Sequence, residues 1–297
     1  MSTNGQVLGR PEPWPAPGKL NLFLHVVGRR ADGYHLLQTA FQFIDLCDEI
    51  RFERRPAGVV ERKTGLPGVP ADHDLTVRAA RRLLGLRPDL GAGVAIDLRK
   101  RLPFGGGVGG GSSDAATVLV GLNELWGLGL TGDQLAEIGL ELGADVPVFL
   151  HGQAAWAEGV GERLTTVAFP EPVYLLVRPD SGISTAEVFK DPELTRDSAV
   201  ITIRDFLTSG GRNDCEPVVR RRFPAVAEAL DWLGRYAPAR LTGTGSCVFA
   251  AMPDEASARA ALGQLPGRWT GYVVRGTNRS PLLDRRQLER DRTGSAR

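Results

Sequence analysis

Hydrophobic and polar positions along the chain change period several times, and each change predicts an element. Residues 19–27 alternate in part and are rich in strand formers, which predicts a strand ending at Gly28. Arg29 to Tyr34, with Asp32-Gly33, reads as a turn, and residues 41–52 read as a second strand region. Residues 75–86 carry Leu75, Ala79 and Leu83 at helical spacing behind Asp74, a candidate N-cap. Val94, Ile96 and Leu98 alternate as a strand. Helices are predicted over about residues 112–126 and 133–142, then a segment 145–150 and a strand at 154–157.

The break between Arg163 and Pro172 predicts a domain boundary, giving an N-terminal domain, residues 1–165, and a C-terminal one, residues 166–297. The second half reads as strand 173–177, a helix or turn at 185–189, helix 225–236, a glycine turn at 240–245, strand 247–251, helix 255–262 and strand 271–275. Residues 1–16 look like a loose, proline-rich lead-in, and 285–297 like a charged, frayed tail.

Composition narrows the function classes. The 297 residues hold 36 Lys and Arg against 35 Asp and Glu, a net charge of +1. That balance gives no electrostatic case for nucleic acid or an acidic membrane as main partner. No apolar run is long enough for a membrane span, and the N-terminus does not read as a signal peptide. The three cysteines, Cys47, Cys215 and Cys247, are widely spaced and suggest neither a disulfide framework nor a zinc site, which fits a reducing cytoplasm. Only four of the basic residues are lysines: Lys19, Lys63, Lys100 and Lys190.

The richest chemical signal runs from Pro103 and Phe104 through Gly105, Gly106, Gly107, Val108, Gly109, Gly110 and Gly111 to Ser112, Ser113 and Asp114. Six glycines in seven positions suit a backbone that approaches a ligand closely. The serines and Asp114 offer N-cap chemistry for the helix that follows, and a helix start with free N–H groups is an anion site. Phosphate is the natural guest. No lysine precedes Ser112, so the loop is not a Walker A loop. Gly105-x-Gly107-x-x-Gly110 matches a dinucleotide fingerprint, but Pro103 interrupts the strand entry and Glu124 falls inside a helix. No H-R-D or D-F-G follows, and a flexible linker would not join a strand to a helix start.

Residues 103–116 resemble the second motif of the galactokinase–homoserine–mevalonate–phosphomevalonate (GHMP) kinase superfamily. The resemblance extends over most of the chain, through Lys19-Leu20-Asn21-Leu22, Arg30-Ala31-Asp32-Gly33-Tyr34-His35, Gly143-Ala144-Asp145-Val146-Pro147, Gly159-Val160-Gly161-Glu162, Asn213-Asp214-Cys215-Glu216, Leu241-Thr242-Gly243-Thr244-Gly245 and Asn278-Arg279-Ser280-Pro281. Within the superfamily the chain is similar to the branch whose acceptor carries a cytidyl diphosphate. The resemblance implies an α+β, two-domain GHMP-kinase-like architecture with its active site in the interdomain cleft. It implies transfer of the ATP γ-phosphate to the 2-hydroxyl of 4-diphosphocytidyl-2-C-methyl-D-erythritol, in non-mevalonate isoprenoid precursor synthesis, with Mg²⁺ accompanying ATP.

Residue by residue, the resemblance places Asp145 and Lys19 in catalysis and residues 103–113 at the nucleotide. Asn21 and Thr185 fall beside the acceptor, with Tyr34, His35, Phe189 and Lys190 around the cytosine. Read without it, Asp145 serves equally well as a cap for the segment at Pro147, Lys19 as a strand-end lysine, and Phe189 as core. The chain departs from the pattern at Phe104, bulky beside the loop, at His73 where an asparagine is expected, and in the threonines of its third motif.

Overall fold

The computed structural model describes residues 6–294 apart from Asp32 and Pro67. The start of the lead-in, Asp32 of the expected turn and the last three residues lie outside the described residues. In chain order the elements are β1 (Trp14–Arg29), β2 (His35–Arg55), β3 (Val60–Arg62), α1 (Leu75–Leu86), β4 (Gly93–Arg99), α2 (Gly110–Leu125), α3 (Gly132–Leu142), α4 (Val146–His151), β5 (Ala155–Glu158) and β6 (Arg163–Thr166). They continue as β7 (Val173–Arg178), α5 (Thr185–Lys190), α6 (Ile203–Ser209), α7 (Glu216–Arg222), α8 (Pro224–Leu233), β8 (Ala239–Leu241), β9 (Val248–Met252), α9 (Glu255–Leu262), β10 (Thr270–Thr277) and α10 (Pro281–Gly294).

One mixed sheet runs through both halves in the order β3-β4-β2-β10-β7-β9-β8, with β1 and β5 also paired to β2. The link is β2, which meets β10 at Ile44↔Gly276 and Phe43↔Thr277. Three cores follow from this layout. Trp14, Phe43, Phe52, Leu83, Ile96, Leu119 and Phe149 fill the first, between β1, β2, β4 and the helices α1, α2 and α4. Val177, Val218, Leu230, Val248 and Trp269 fill the second, under α7, α8 and α9. Leu20, Phe23, Ile44, Tyr174, Phe206 and Phe249 form a third, where β1 and β2 meet β7 and β9.

Several sequence expectations hold in detail. Helix α1 spans the predicted residues, with the Asp74 carboxylate accepting from the Thr76 amide at 2.7 Å. Helix α9 also has its predicted limits.

Others need correction. The proline-rich lead-in is already strand from Trp14, since around Pro15 and Pro17 β1 pairs with β2 alone among the described strands, where no second neighbour needs the missing N–H. Ser112, Ser113 and Asp114 do not cap α2; its N-cap is Gly109, and Asp114 is buried against Lys100 at 2.8 Å. The charged tail is not frayed over residues 285–294 but continues α10. Arg285 packs over the Trp14 ring at 4.3 Å and pairs with the buried Glu289 at 2.8 Å, while Arg286 reaches Glu124 at 2.7 Å.

Candidate active site

The middle of β1 carries Lys19 and Asn21 two residues apart, hence on one face of the strand. Lys19 is almost fully buried, and its ammonium is held on several sides. It donates to the Gly107 carbonyl at 3.1 Å and to the Asn21 side-chain oxygen, and it lies 3.4 Å from the Asp145 carboxylate and 5.3 Å from the centre of the Phe41 ring. A strand-end lysine facing water would have none of these partners. Asn21 is fixed in turn, its amide nitrogen donating to Thr39 at 2.9 Å. Asp145 sits at the N-cap position of α4, where Pro147 in the first turn has no N–H that needs an acceptor, yet its side chain makes no capping bond. Its carboxylate is half-exposed and turned to Lys19. The side chain thus faces the cleft rather than the start of α4.

The glycine loop leads into α2 beside this pair. Pro103 and Val108 are buried and anchor the loop, whereas Phe104 stands out in solvent. At Gly107, φ is +74° and an added Cβ would lie 2.2 Å from the Thr242 carbonyl. Loop and third-motif turn thus touch backbone to backbone. Besides the Lys19 ammonium, three further bonds join the loop to its neighbours. They run from the Cys247 amide to Gly106 O at 3.1 Å, from Thr242 Oγ1 to Gly107 O at 3.3 Å, and from the Lys19 amide to Val108 O at 2.9 Å. The first intrahelical bond of α2 is that of the Ser113 amide to Gly109. The amides of Gly110, Gly111 and Ser112 precede it and are open to an anion at the positive end of a 16-residue helix. Ser113 is different from the sequence expectation: its hydroxyl is sealed inside the protein and does not reach the cleft.

Beneath the loop, Lys100 bonds both Asp114 and Asp48, and Asp48 also accepts from the amides of Arg101 and Leu102. Burial, with the Asp48 charge adding to it, pushes the Asp114 carboxyl up to about 8, while Lys100 pulls the other way.

Towards the other end of the cleft, Tyr34 is largely exposed, and the His35 and Phe189 rings stack on each other at 5.0 Å and 28°. Thr185 bonds Thr244 at 2.9 Å, joining α5 to the third-motif turn. Lys19, Asn21, Tyr34, His35, Gly107, Ser112, Asp145, Thr185, Phe189 and Lys190 all line one cleft of about 800 Å³. The remaining loop residues, Gly105, Gly106, Gly109, Gly110 and Gly111, continue from Gly107 along the loop and into the start of α2.

Two supporting residues had no role assigned from the sequence: Asn213, which lies in one of the segments that carry the resemblance, and Arg196, which lies in none. Asn213 donates to Leu241 O at 2.9 Å and Gly243 O at 2.8 Å, pinning the third-motif turn from a distant segment. Arg196 donates to His35 at 3.2 Å. Both act across large sequence separations, which no local pattern encodes.

Among the described residues no group of three or more His, Cys, Asp or Glu could hold a metal ion. Of the residues the sequence singled out, the cleft offers the Asp145 carboxylate and the Ser112 hydroxyl. That set fits Mg²⁺, which commonly binds through one or two carboxylates plus substrate phosphates.

Residues 74–153 match the family model described as "GHMP kinases N terminal domain", and residues 193–270 match "GHMP kinases C terminal". The chain is 61% identical over 276 residues to a Halorhodospira halophila protein named 4-diphosphocytidyl-2-C-methyl-D-erythritol kinase, covering 91% of this chain and 94% of that one. It is 59% identical over 271 residues to the Nitrosococcus oceani protein of the same name, covering 91% and 96%. A crystal structure of 4-(cytidine 5'-diphospho)-2C-methyl-D-erythritol kinase superposes with a TM-score of 0.75 at 33% identity, over 89% of this chain and 98% of that one. A mevalonate kinase crystal structure shares the fold at a TM-score of 0.66 and 16% identity, over 90% and 99%. The Lys19–Asp145 cleft, the two domain matches and the close relatives agree: the chain belongs to the 4-diphosphocytidyl-2-C-methyl-D-erythritol kinase family of the GHMP kinases.

Proposed function

We propose that this small-molecule kinase transfers the γ-phosphate of ATP to the 2-hydroxyl of 4-diphosphocytidyl-2-C-methyl-D-erythritol at the centre formed by Lys19 and Asp145, giving the 2-phosphate and ADP. The observation that carries this is the position of the Lys19 ammonium, bonded to the Gly107 carbonyl and 3.4 Å from Asp145. One cation thereby joins the phosphate loop to the carboxylate. The amides of residues 110–112 cradle the triphosphate, with Pro103, Phe104 and the loop glycines shaping its seat. Asp145 accepts the proton of the acceptor hydroxyl as its oxygen bonds to phosphorus and the bond to ADP breaks. Lys19, 3.4 Å from that carboxylate, offsets charge on the transferring group. Mg²⁺ supplies charge neutralisation on the phosphates when bound.

Asn21 and Thr185 position the polyol. Tyr34, His35, Phe189 and Lys190 receive the cytidyl end, and they suit it because the walls there are aromatic and cationic. The division at residues 165 and 166 into a nucleotide-binding domain and a C-terminal domain accords with a cleft lined from both sides. The unpaired Cys47, Cys215 and Cys247 support a reducing compartment, the cytoplasm.

An ADP-release assay with Asp145→Asn tests the central role. A positioned base contributes about 10²–10⁴ in rate. The variant is expected to lose kcat on that scale while the acceptor KM stays within a few-fold. Near-normal turnover refutes the assignment. Mevalonate and homoserine, offered to the parent enzyme, are expected to release no ADP above background.

A further inference from the structure

Arg196 lies in the segment after α5 and holds an unusually complete set of acceptors. Its Nη1 donates to Leu194 O at 3.0 Å, and its Nη2 to Phe189 O at 2.9 Å and Asp191 O at 2.7 Å. The remaining bond, from Nε, goes to Nε2 of His35 at 3.2 Å. Three backbone carbonyls thus fix the guanidinium plane, and the plane aims one donor at an imidazole in the cleft wall.

The chemistry of the pair is one-directional. A guanidinium has five N–H donors, no acceptor, and stays protonated in proteins. The His35 Nε2 atom that faces it must therefore offer a lone pair. A neutral imidazole with a lone pair on Nε2 carries its proton on Nδ1. A doubly protonated ring would point N–H against N–H and place a cation beside Arg196. Phe189 covers one face of the ring, so the ring cannot rotate freely to exchange its two nitrogens. Among the described residues, the charged groups facing His35 are Arg196, Arg29 at the end of β1, and Lys190 of α5 across the same cleft. Burial first, then Arg196 and Arg29, lower the His35 pKa below its ordinary value.

We propose that Arg196 is a positioning residue: it locks His35 as a neutral ring with its proton on Nδ1, so that the cleft presents a hydrogen-bond donor to an unprotonated ring nitrogen or carbonyl of the acceptor's base. This deepens the proposed function and rests on its placement of the cytidyl end beside His35. The consequence is base selectivity. Cytosine offers an acceptor at N3, where uracil carries N–H; a fixed donor accepts the first and opposes the second.

Two measurements test it. The first is the nitrogen NMR spectrum of the His35 ring in the unliganded full-length protein. It is expected to show the proton on Nδ1 in the parent and a mixture of both neutral forms in Arg196→Met. A proton on Nε2 in the parent overturns the proposal. The second is steady-state kinetics at saturating ATP. In Arg196→Met the acceptor KM is expected to rise by about three- to tenfold, the worth of one hydrogen bond, with kcat unchanged. The diagnostic feature is recovery in acid. As pH falls from 8 to 6, the freed ring of the variant gains its second proton and regains an Nδ1 donor, so its KM returns towards that of the parent. A merely structural role for Arg196 predicts a KM ratio independent of pH, or a fall in kcat together with a change in ATP KM, and either result overturns the lock. His35→Ala separates the two levels. If it leaves the acceptor KM unchanged while the NMR result stands, the cytidyl end does not lie at His35 and the reading of the cleft fails instead.

Discussion

Gly105 and Gly107 form a matched pair for testing how the phosphate loop is held. Both have positive φ, +65° and +74°, so a side chain at either is strained by about 1–2 kcal/mol. Only Gly107 is also crowded. A Cβ there would sit 2.2 Å from Thr242 O and 3.0 Å from Gly245 O, whereas at Gly105 it meets nothing within 4 Å. The turn opposite Gly107 cannot easily retreat, because Asn213 holds Leu241 O and Gly243 O. Overpacking of this kind costs about 1–3 kcal/mol more. Gly107→Ala is therefore expected to lose about 2–5 kcal/mol in all, and Gly105→Ala about 1–2 kcal/mol less whatever the alanine gains through the unfolded chain.

At roughly 2–4 °C per kcal/mol, Gly107→Ala lowers the unfolding midpoint by about 4–20 °C and Gly105→Ala by at most about 8 °C. The larger effect is on chemistry. Relieving the clash moves the loop by close to 1 Å, enough to cost about 10²-fold where reacting groups must be aligned. A scan of thermal unfolding with kcat/KM for ATP on both variants reads this directly. Equal melting temperatures, or ATP kcat/KM within about threefold of the parent in Gly107→Ala, would refute the account of the loop as seated on the Thr242 turn.

Two further outcomes follow from the buried groups. Asp114 releases its proton at about 8 in the folded chain against 3.8 for the free side chain, so the folded state binds more protons between those values. The contribution of Asp114 to stability is therefore expected to decline from pH 4 to about 8, by up to about 1.4 kcal/mol per unit, and then level off. Asp114→Asn removes that slope; urea unfolding at pH 5, 7 and 9 that shows parallel curves for parent and variant sinks the assignment. Burial pushes the thiols of Cys47, Cys215 and Cys247 up to about 12, with Asp45 and Asp48 contributing at Cys47. Iodoacetamide at pH 8 should leave ADP release intact, since the thiolate is the reactive form, and activity lost in step with alkylation contradicts this.

What could be read from the sequence divides along physical lines. Helix α1 was legible because its cap and its apolar period are both local: Asp74 bonds Thr76 two residues on. The Lys19–Asp145 pairing was legible only through family resemblance, since nothing within either segment announces the other. Short helices such as α6 and α7, seven residues each, offer too few turns for a period to show. Residues whose partners are remote misled local reasoning. Asp114 looked like a cap but its partner is Lys100, and the arginines of α10 looked like a solvated tail but their partners are Glu124, Glu289 and the Trp14 ring. Arg196 has no local signature for the same reason, since it reaches His35 across 161 residues, more than half of the chain.

Strand β2 has a consequence for how the molecule comes into being. It is laid down early, yet its neighbour β10 follows far along the chain, and Phe43 waits for Thr277. During translation the growing polypeptide must carry β2 with part of its hydrogen-bonding rim bare until β10 emerges. Contacts so distant along the chain slow assembly and leave an edge that can recruit the wrong neighbour. Shortened versions of this protein, ending anywhere before Thr270, would keep that rim permanently open and are poor candidates for soluble expression.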